Sequence, residues 1–179
     1  MRYLIVTDIH GGKDAANFIT AKFNEGFGRI LILGDILYHG PRNDLPSDYA
    51  PKEVIKALNP LADKIIAVEG NCDAYVDQMV LSFKIAKEAF VEVNNHLIYL
   101  THGHLVNHET PINLPDGSIV LHGHTHIIRE DIVNGVYYLN LGSITLPKNN
   151  TKKCYGVLDE NGIFFYDLED NLLLSHPFK

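Results

Sequence analysis

The chain has 179 residues, a length that suits one domain with a substantial core. It is acidic, with 15 Lys and Arg against 22 Asp and Glu, and this balance disfavours binding to a nucleic-acid polymer. Two cysteines, Cys72 and Cys154, are too few for a disulfide framework, and no apolar stretch has the length of a signal peptide or a membrane span. We therefore expect a single domain over residues 1–179 that is cytoplasmic and stays out of the membrane.

The first half of the chain alternates strand and helix patterns. Short apolar runs predict strands over residues 2–7, 29–33 and 64–68, and helical patterns occupy residues 13–25 and 51–58. A βαβαβ order of this kind predicts a parallel sheet with right-handed crossovers.

The second half is dominated by hairpin signals. The pairs Asn94–Asn95, Asn134–Gly135 and Asn161–Gly162 each separate two β-rich runs, and Asn-Gly is the strongest such turn signal. Residues 103–118 contain Pro, Asn and Gly and predict a loop. Together the two halves predict an α/β protein with two packed mixed sheets and helices outside them.

Five apolar runs end on residue types that bind metal ions. Their ends carry two Asp, one Asn and four His, namely Asp8, His10, Asp35, Asn71, His102, His124 and His126. Ligands in α/β sheets gather at the carboxyl ends of the strands, so we expect these seven side chains to meet at one point. Seven ligands are more than one metal ion needs and suit a pair of ions. Two-metal sites of this kind commonly hydrolyse phosphate esters.

Each ligand considered alone has an ordinary structural alternative. Asp8 could cap the helix predicted at residue 13, Asp35 could serve a turn, and Asn71 could form an Asx-turn. The segments His102-Gly103-His104 and His122-Gly123-His124-Thr125-His126 place five imidazoles directly after apolar strands, which favours a metal centre. Imidazole with carboxylate and carboxamide ligands suits Mn²⁺, Fe²⁺ or Zn²⁺ better than Ca²⁺ or Mg²⁺.

The series Asp-X-His, Gly-Asp, Gly-Asn-X-Asp, His after a strand and Gly-His-X-His runs in this order through residues 8–126. It resembles the pattern of the calcineurin-like metallophosphoesterases. The stretches GDILYHGPRNDLPSDYAPKEV, VEGNCDAYVDQM, LTHGHL and GHTH resemble the YfcE-type bacterial phosphodiesterases more closely, as does Leu139–Ser143, where that family usually has Asn-Pro-Gly-Ser.

The resemblance implies a four-layer α/β/β/α sandwich of two mixed sheets with two divalent ions, most often Mn²⁺, with Zn²⁺, Fe²⁺ or Ni²⁺ as alternatives. It assigns to the first ion Asp8, His10, Asp35 and His126. It assigns to the second ion Asp35, Asn71, His102 and His124. A hydroxide between the ions would attack a small phosphodiester in line, while the ions and Asn71 neutralise charge on the phosphoryl oxygens.

The chain departs from the wider superfamily at Cys72, where a His is thought to protonate the leaving group. A thiol of ordinary pKa, about 8.5, is a poor acid for an alkoxide. We therefore expect a preference for phenol-like leaving groups, or recruitment of another imidazole, His39 or His104; alternatively, Cys72 only packs beneath the site. Asn71, Cys72, Asp73 and His104 are the predicted catalytic residues.

Arg42 lies on the loop that follows Asp35, and its guanidinium fork could hold a phosphate oxygen. The alternative is an ion pair with Asp44 or Asp48. Arg42, His39 and Asn71 form the predicted substrate-binding set. The remaining imidazoles are expected to serve no ligand role: His122 faces away from the site or packs in the sheet, and His96, His108 and His176 are surface or loop residues.

Two further functions remain open. The retromer subunit that resembles this family suggests a protein-binding scaffold, but loss of ligand residues would mark such a role and all seven are present here. A protein phosphatase, nuclease or cyclic-nucleotide phosphodiesterase is a second alternative. The family does not fix the physiological substrate or the oligomeric state, although small members often pair.

Overall fold

The computed structural model describes residues 1–178. In the first half, the strands are β1 (Tyr3–Val6), β2 (Arg29–Ile32), β3 (Ile65–Val68) and β4 (Ile85–Ala86), and the helices are α1 (Lys13–Phe23) and α2 (Pro51–Leu58). Two 3₁₀ segments, Asn59–Lys64 and Tyr75–Met79, lie before β3 and before β4. The three strands and two helices expected from the sequence are therefore confirmed, with ends that differ by one or two residues.

The second half contributes eight strands. They are β5 (Ala89–Val93), β6 (His96–Leu100), β7 (Ile119–His122), β8 (Ile128–Val133), β9 (Val136–Leu141), β10 (Cys154–Asp159), β11 (Gly162–Asp167) and β12 (Leu172–Pro177). The three expected hairpins are confirmed as the antiparallel pairs β5–β6, β8–β9 and β10–β11. Asn134 and Gly135 both have positive φ, 52° and 78°, as a two-residue hairpin turn requires.

The strands form two mixed sheets, as the sequence predicts. The larger sheet has the order β12-β11-β10-β1-β2-β3-β4, in which β1 to β4 are parallel and the C-terminal strands are antiparallel. The smaller has the order β5-β6-β7-β9-β8, with β6, β7 and β9 parallel. The parallel strands of both sheets therefore supply the carboxyl ends at which the candidate ligands follow.

Alternation along the strands divides the core into layers. Leu31 and Leu33 belong to the cluster packed between the two sheets, whereas Ile30 and Ile32 belong to the cluster beneath α1 and α2. All four side chains are fully buried, so the centre of the larger sheet is apolar on both faces. This packing fixes the register of β2 and with it the position of Asp35 beyond its end.

The outer face of the smaller sheet is covered differently. Tyr99, Val120 and Tyr138 pack there against apolar residues of the 103–118 segment, and the backbone N–H of Ile112 donates to the Tyr138 hydroxyl at 3.1 Å. Residues 103–118 contain no helix or strand, so the loop expected there is confirmed, and the fourth layer of the sandwich is a loop.

Four elements were not anticipated from the sequence: β4, β12 and the 3₁₀ segments Asn59–Lys64 and Tyr75–Met79. β4 has two residues and β12 is an exposed edge strand, so neither has the buried apolar run that marks the central strands. Within residues 1–178, no helix combines the length and the apolar composition that crossing a bilayer requires.

Candidate metal centre

The seven candidate ligands all follow strands at the edge where the two sheets meet. Asp8 and His10 follow β1, Asp35 follows β2 and Asn71 follows β3, so four ligands come from neighbouring strands of the larger sheet. The smaller sheet supplies the rest: His102 follows β6, and His124 and His126 follow the adjacent β7. Segments that are distant in the chain are thereby brought to one place.

Asp8, His10 and His126 form the first group of possible ligands. The Nε2 atoms of His10 and His126 lie 3.4 and 3.1 Å from Asp8 Oδ1. Asp35 Oδ2 lies 3.7 Å from His10 Nε2, which places this carboxylate at the edge of the group.

Asp35 also belongs to a second group, with Asp8 and His102. Its Oδ2 lies 3.2 Å from His102 Nε2, and the rings of His102 and His124 are 5.1 Å apart. Asn71 and His124 line the same cleft as Asp35. Asp35 therefore stands between the two groups, where a bridging carboxylate would have to be.

Hydrogen bonds to backbone carbonyls orient three of the imidazoles. The Nδ1 atoms of His10, His102 and His126 lie 2.8, 2.7 and 2.6 Å from the carbonyl oxygens of Tyr38, Leu33 and Leu146, each of which can only accept. Each Nδ1 must then carry a proton, which leaves a lone pair on Nε2 in the neutral ring. Metal-binding histidines are oriented in this way.

The close contacts among these ring nitrogens and carboxylate oxygens are those expected around a bound cation. The Nε2 atoms of His10 and His126 face each other at 3.1 Å, and two lone pairs at this distance repel unless a proton or a metal ion lies nearby. Within residues 1–178, Asp8 Oδ1 and His102 Nε2 are buried and make no hydrogen bond of regular geometry, although His126 Nε2 and Asp35 Oδ2 lie 3.1 and 3.2 Å from them. Buried polar atoms without regular hydrogen bonds are rare, and here they are suited to bind a cation. The donor set therefore fits a pair of divalent ions.

The other oxygen of Asp8 is held by the protein. Thr7 Oγ1 donates to Asp8 Oδ2 at 2.7 Å, and the backbone N–H of His124 donates to it at 3.1 Å. A Cβ on Gly123 would collide with Thr7 Oγ1 and Asp8 Oδ2, so glycine is required where the two sheets come together.

Five ligands have a backbone conformation that side chains rarely adopt. Positive φ values between 48° and 74° occur at Asp8, His10, Asp35, His124 and His126. Such strain costs on the order of 1 kcal/mol or more at each residue and persists where the surroundings impose it, commonly at functional sites. No residue pattern indicates this strain, because these positions are not the glycines that usually mark left-handed conformations.

Asp73 accepts hydrogen bonds from the backbone of two neighbouring loops. Its Oδ2 accepts from the backbone N–H groups of Asp35 and Gly70, both at 2.8 Å, and its Oδ1 accepts from Ile36 at 2.7 Å. Burial raises the pKa of Asp73 to about 6 in spite of these donors. The carboxylate joins the loops that carry Asp35 and Asn71, and the catalytic role expected for Asp73 from the sequence stays a prediction.

Cys72 lines the cleft, and its Sγ lies within 4.8 Å of ligand atoms of His10 and Asp35. Burial and the nearby carboxylates, Asp35 first, raise the pKa of this thiol to about 12. The ordinary thiol pKa assumed from the sequence is thus too low for the metal-free protein. Cys72 is a neutral group at pH 7 and a weaker acid than expected.

The two imidazoles considered as proton donors have different positions. The ring of His104 lies 5.5 Å from that of His102 and 6.1 Å from that of His124, and its Nδ1 is buried without a partner among residues 1–178. His39 instead lies against Tyr38 and Tyr49, with ring centroids at 4.7 and 5.3 Å, and is absent from the cleft lining. His104 is therefore the better placed.

The cleft also contains Arg42, as the sequence suggested, and Lys148, which the sequence analysis missed. Lys148 lies in the Pro147–Asn150 stretch far from any ligand motif, so only the fold reveals its position.

His122 is buried in β7 with Nδ1 3.2 Å from the Gly123 carbonyl, in keeping with its expected place in the sheet. Outside the site, His96 stacks on Phe178, and His108 and His176 lie near Asp131 and Glu130.

The charges of the metal-free site are strongly coupled. Burial alone would raise the pKa of Asp8, but His102, His10 and His126 together hold it well below its usual value. Burial would lower the pKa of His102, yet the Asp8 and Asp35 carboxylates raise it to about 9. His124 is the opposite case, because burial and the charge of His102 lower its pKa to about 4.

Comparison with known proteins agrees with this geometry. Residues 1–162 match the model of the calcineurin-like phosphoesterase superfamily domain. The phosphodiesterase YfcE of Escherichia coli K12 is 38% identical over 177 residues, which cover 98% of this chain and 96% of that protein. The structure of E. coli YfcE superposes with a TM-score of 0.95 at 36% identity over the whole of both chains.

A more distant structure shares only the fold. Vps29 of Entamoeba histolytica, solved in complex with Zn²⁺, is 20% identical with a TM-score of 0.59, and the alignment covers 99% of this chain and 98% of Vps29.

The raised pKa of His102 predicts how the stability of the metal-free protein depends on pH. Its folded pKa of about 9 exceeds the unfolded value of about 6.5, so its stabilising contribution is complete below pH 6.5 and is lost as pH rises toward 9. The free energy of unfolding in urea, measured after EDTA treatment, should fall between pH 6.5 and 9. His102→Gln should reduce this fall, whereas His96→Gln should retain it; an equal fall in wild type and His102→Gln would contradict the prediction.

Proposed function

We propose that this chain, which belongs to the calcineurin-like phosphoesterase superfamily, is a metal-dependent hydrolase of small phosphodiesters. The observation that carries the proposal is the pair of ligand groups on either side of Asp35, with Asp8 Oδ1 and His102 Nε2, which lack regular hydrogen bonds, facing inward. The 38% identity to a bacterial phosphodiesterase over nearly the full length supports diesters as the substrate class.

Each group of ligands would hold one divalent ion. The first ion would have Asp8, His10, Asp35 and His126, and the second would have Asp35, Asn71, His102 and His124. When bound, such a pair of ions lowers the pKa of a water molecule and neutralises charge on the phosphoryl oxygens during in-line attack. The mixture of imidazole, carboxylate and carboxamide favours Mn²⁺, with Zn²⁺, Fe²⁺ and Ni²⁺ as alternatives.

The chain's own residues supply orientation. Asp35 is held from two sides: the backbone N–H of Cys72 donates to Asp35 Oδ1 at 2.8 Å, and Asp73 accepts from the Asp35 backbone N–H. This leaves Oδ2 directed at His102 and His10. Asn71 lies at the exposed side of the cleft, where its Nδ2 is 3.3 Å from Cys72 Sγ; in the enzyme it would donate to a phosphoryl oxygen as charge develops.

Protonation of the leaving group is the step for which the site is least equipped. Cys72 occupies the superfamily's histidine position, and a neutral thiol is a poorly matched acid for an alkoxide leaving group. Burial and the charge of His102 lower the pKa of His104, so little of this imidazole is in the protonated form that could donate to a leaving group at pH 7. We therefore infer that the leaving alcohol departs with little help, and that good leaving groups react faster.

The scaffold alternative has less support. The likeness to Vps29 shows the fold alone, whereas all seven ligand residues remain and five of them keep a strained backbone. A pure binding platform has no need of such strain, and we favour the enzyme.

We also propose that the protein is cytoplasmic, in keeping with two cysteines that are both free.

Hydrolysis of bis(p-nitrophenyl) phosphate tests the proposed function. The Mn²⁺-loaded protein should release p-nitrophenol, EDTA treatment should abolish the activity, and Asp35→Asn should lower kcat by about 100-fold or more because both ions lose a ligand. Asp63→Asn, at an exposed carboxylate outside the cleft, is the matched control and should behave as wild type. Absence of hydrolysis by folded, metal-loaded protein would sink the proposal.

The dependence of rate on the leaving group tests the inference about protonation. Across a series of methyl aryl phosphates, log kcat should fall steeply as the pKa of the leaving phenol rises, because no strong acid assists departure. Cys72→His restores an imidazole at this position and should flatten the slope, whereas Cys72→Ser should not. A slope near zero in the wild type, extending to alkyl leaving groups, would refute the inference.

A further inference from the structure

Two cationic side chains, Arg42 and Lys148, lie at the mouth of the cleft above the candidate metal centre. Both are exposed, so they face solvent and any substrate that approaches. They come from opposite ends of the chain, on the loop after Asp35 and on the turn after β9. A single phosphate oxygen held by Arg42 leaves Lys148 without a role.

The turn that carries Arg42 packs against Cys72 in the cleft. Asn43 closes it, because its Nδ2 donates to the His39 carbonyl at 2.8 Å and its backbone N–H points to the Gly40 carbonyl at 3.4 Å. Gly40 has φ +82°, and a Cβ there would come within 2.8 Å of Cys72 Sγ. The close approach that glycine permits holds the turn against Cys72.

The turn that carries Lys148 is tied to a candidate metal ligand. The backbone N–H of Lys148 donates to the His126 carbonyl at 3.0 Å. The Lys148 carbonyl accepts from both the N–H and the hydroxyl of Thr151, at 3.0 and 2.7 Å. The backbone of Lys148 is thereby fixed relative to His126, so its position at the cleft is built into the fold.

Neither cation has a carboxylate partner, although the chain is acidic. The Lys and Arg side chains that form ion pairs within residues 1–178 are those of Lys22, Lys56, Lys64, Arg129 and Lys152. The expected alternative for Arg42, an ion pair with Asp44 or Asp48, is absent from the described residues, and Asp48 instead accepts from the Asp14 backbone at 2.7 Å. Two unpaired cations at one cleft are free to bind anions.

The charge balance indicates what kind of anion. A simple diester has one negative charge. Two divalent ions bound by Asp8 and Asp35 would already balance that charge, together with the charges of the two carboxylates and of a bound hydroxide. Arg42 and Lys148 then add positive charge that such a substrate does not neutralise. A substrate with a second anionic group near the scissile phosphate would neutralise it.

The opposite side of Asn71 leaves room for the rest of the substrate. A groove of about 390 Å³ opens there, lined by Glu69, Lys87, His104 and Leu105 among others. The two ester arms of a diester can thus lie in different places, one beside the cationic pair and the other in this groove.

We propose that the enzyme selects phosphodiesters in which one ester arm carries a second phosphate or carboxylate, bound between Arg42 and Lys148. The proposal rests on the proposed function and names its substrate class. Arg42 and Lys148 are then specificity-determining residues, and they act on the charged arm.

A matched pair of chromogenic substrates tests this selection. Thymidine 5′-(p-nitrophenyl phosphate) and its 3′-phosphorylated counterpart release the same p-nitrophenol and differ only in the charge of the retained arm. The 3′-phosphorylated compound should have a kcat/KM roughly 10-fold higher for the Mn²⁺-loaded wild type, the size expected of one charge-assisted contact. The preference should decrease as salt rises.

Variants assign the effect to the two cations. Lys148→Ala and Arg42→Ala should each remove most of the preference, chiefly through KM, while Lys148→Arg should retain it. Lys153→Ala, at an exposed lysine outside the cleft lining, is the matched control. Calorimetry gives a readout that does not depend on turnover, because thymidine 3′,5′-bisphosphate should bind wild type more tightly than thymidine 5′-monophosphate, and Lys148→Ala should remove the difference.

The outcomes separate the two proposals. Equal kcat/KM for two substrates that are both hydrolysed would overturn the selection by charge and leave the proposed function intact. A preference that persists in both alanine variants would overturn the assignment to Arg42 and Lys148. If the folded, Mn²⁺-loaded protein hydrolysed neither of these substrates nor bis(p-nitrophenyl) phosphate, the proposed function itself would be overturned.

Discussion

The buried carboxylates of Asp8 and Asp35 impose the constraint that the rest of the site satisfies. Both side chains are at most 3% exposed, and burying unpaired negative charge is strongly unfavourable. In the metal-free protein the imidazoles of His10, His102 and His126 compensate part of this charge. Divalent cations would compensate it more fully and would relieve the close approach of His10 Nε2 to His126 Nε2.

Much of this arrangement could be predicted from the sequence, because strand ends in parallel sheets converge. The runs before Asp8, Asp35 and Asn71 are apolar and end abruptly, so periodicity alone identifies β1, β2 and β3 and places the ligands beyond them. The hairpins could also be predicted from the sequence, because the local backbone preference of Asn134–Gly135 specifies a turn. These features depend on neighbours in sequence, and pattern therefore suffices.

Features that depend on distant contacts could not be predicted. Lys148 reaches the cleft through its bond to His126, and Asp73 turns toward the Asp35 backbone although it lies within the motif. The high pKa of Cys72 arises from burial beside carboxylates that only the fold brings near. The loop over the smaller sheet, in place of a helix, likewise reflects packing on Tyr99 and Tyr138, which no local signal encodes.

The two sheets thus bring the candidate ligands to one cleft, and we propose that Arg42 and Lys148 at its mouth select the substrate. The central claim is that Asp35 lies between two metal sites. Anomalous diffraction from crystals of the Mn²⁺-loaded protein tests it most directly. We expect two manganese peaks, one beside Asp8, His10 and His126 and one beside Asn71, His102 and His124, with Asp35 between them. A single peak, or none, would contradict the paired centre.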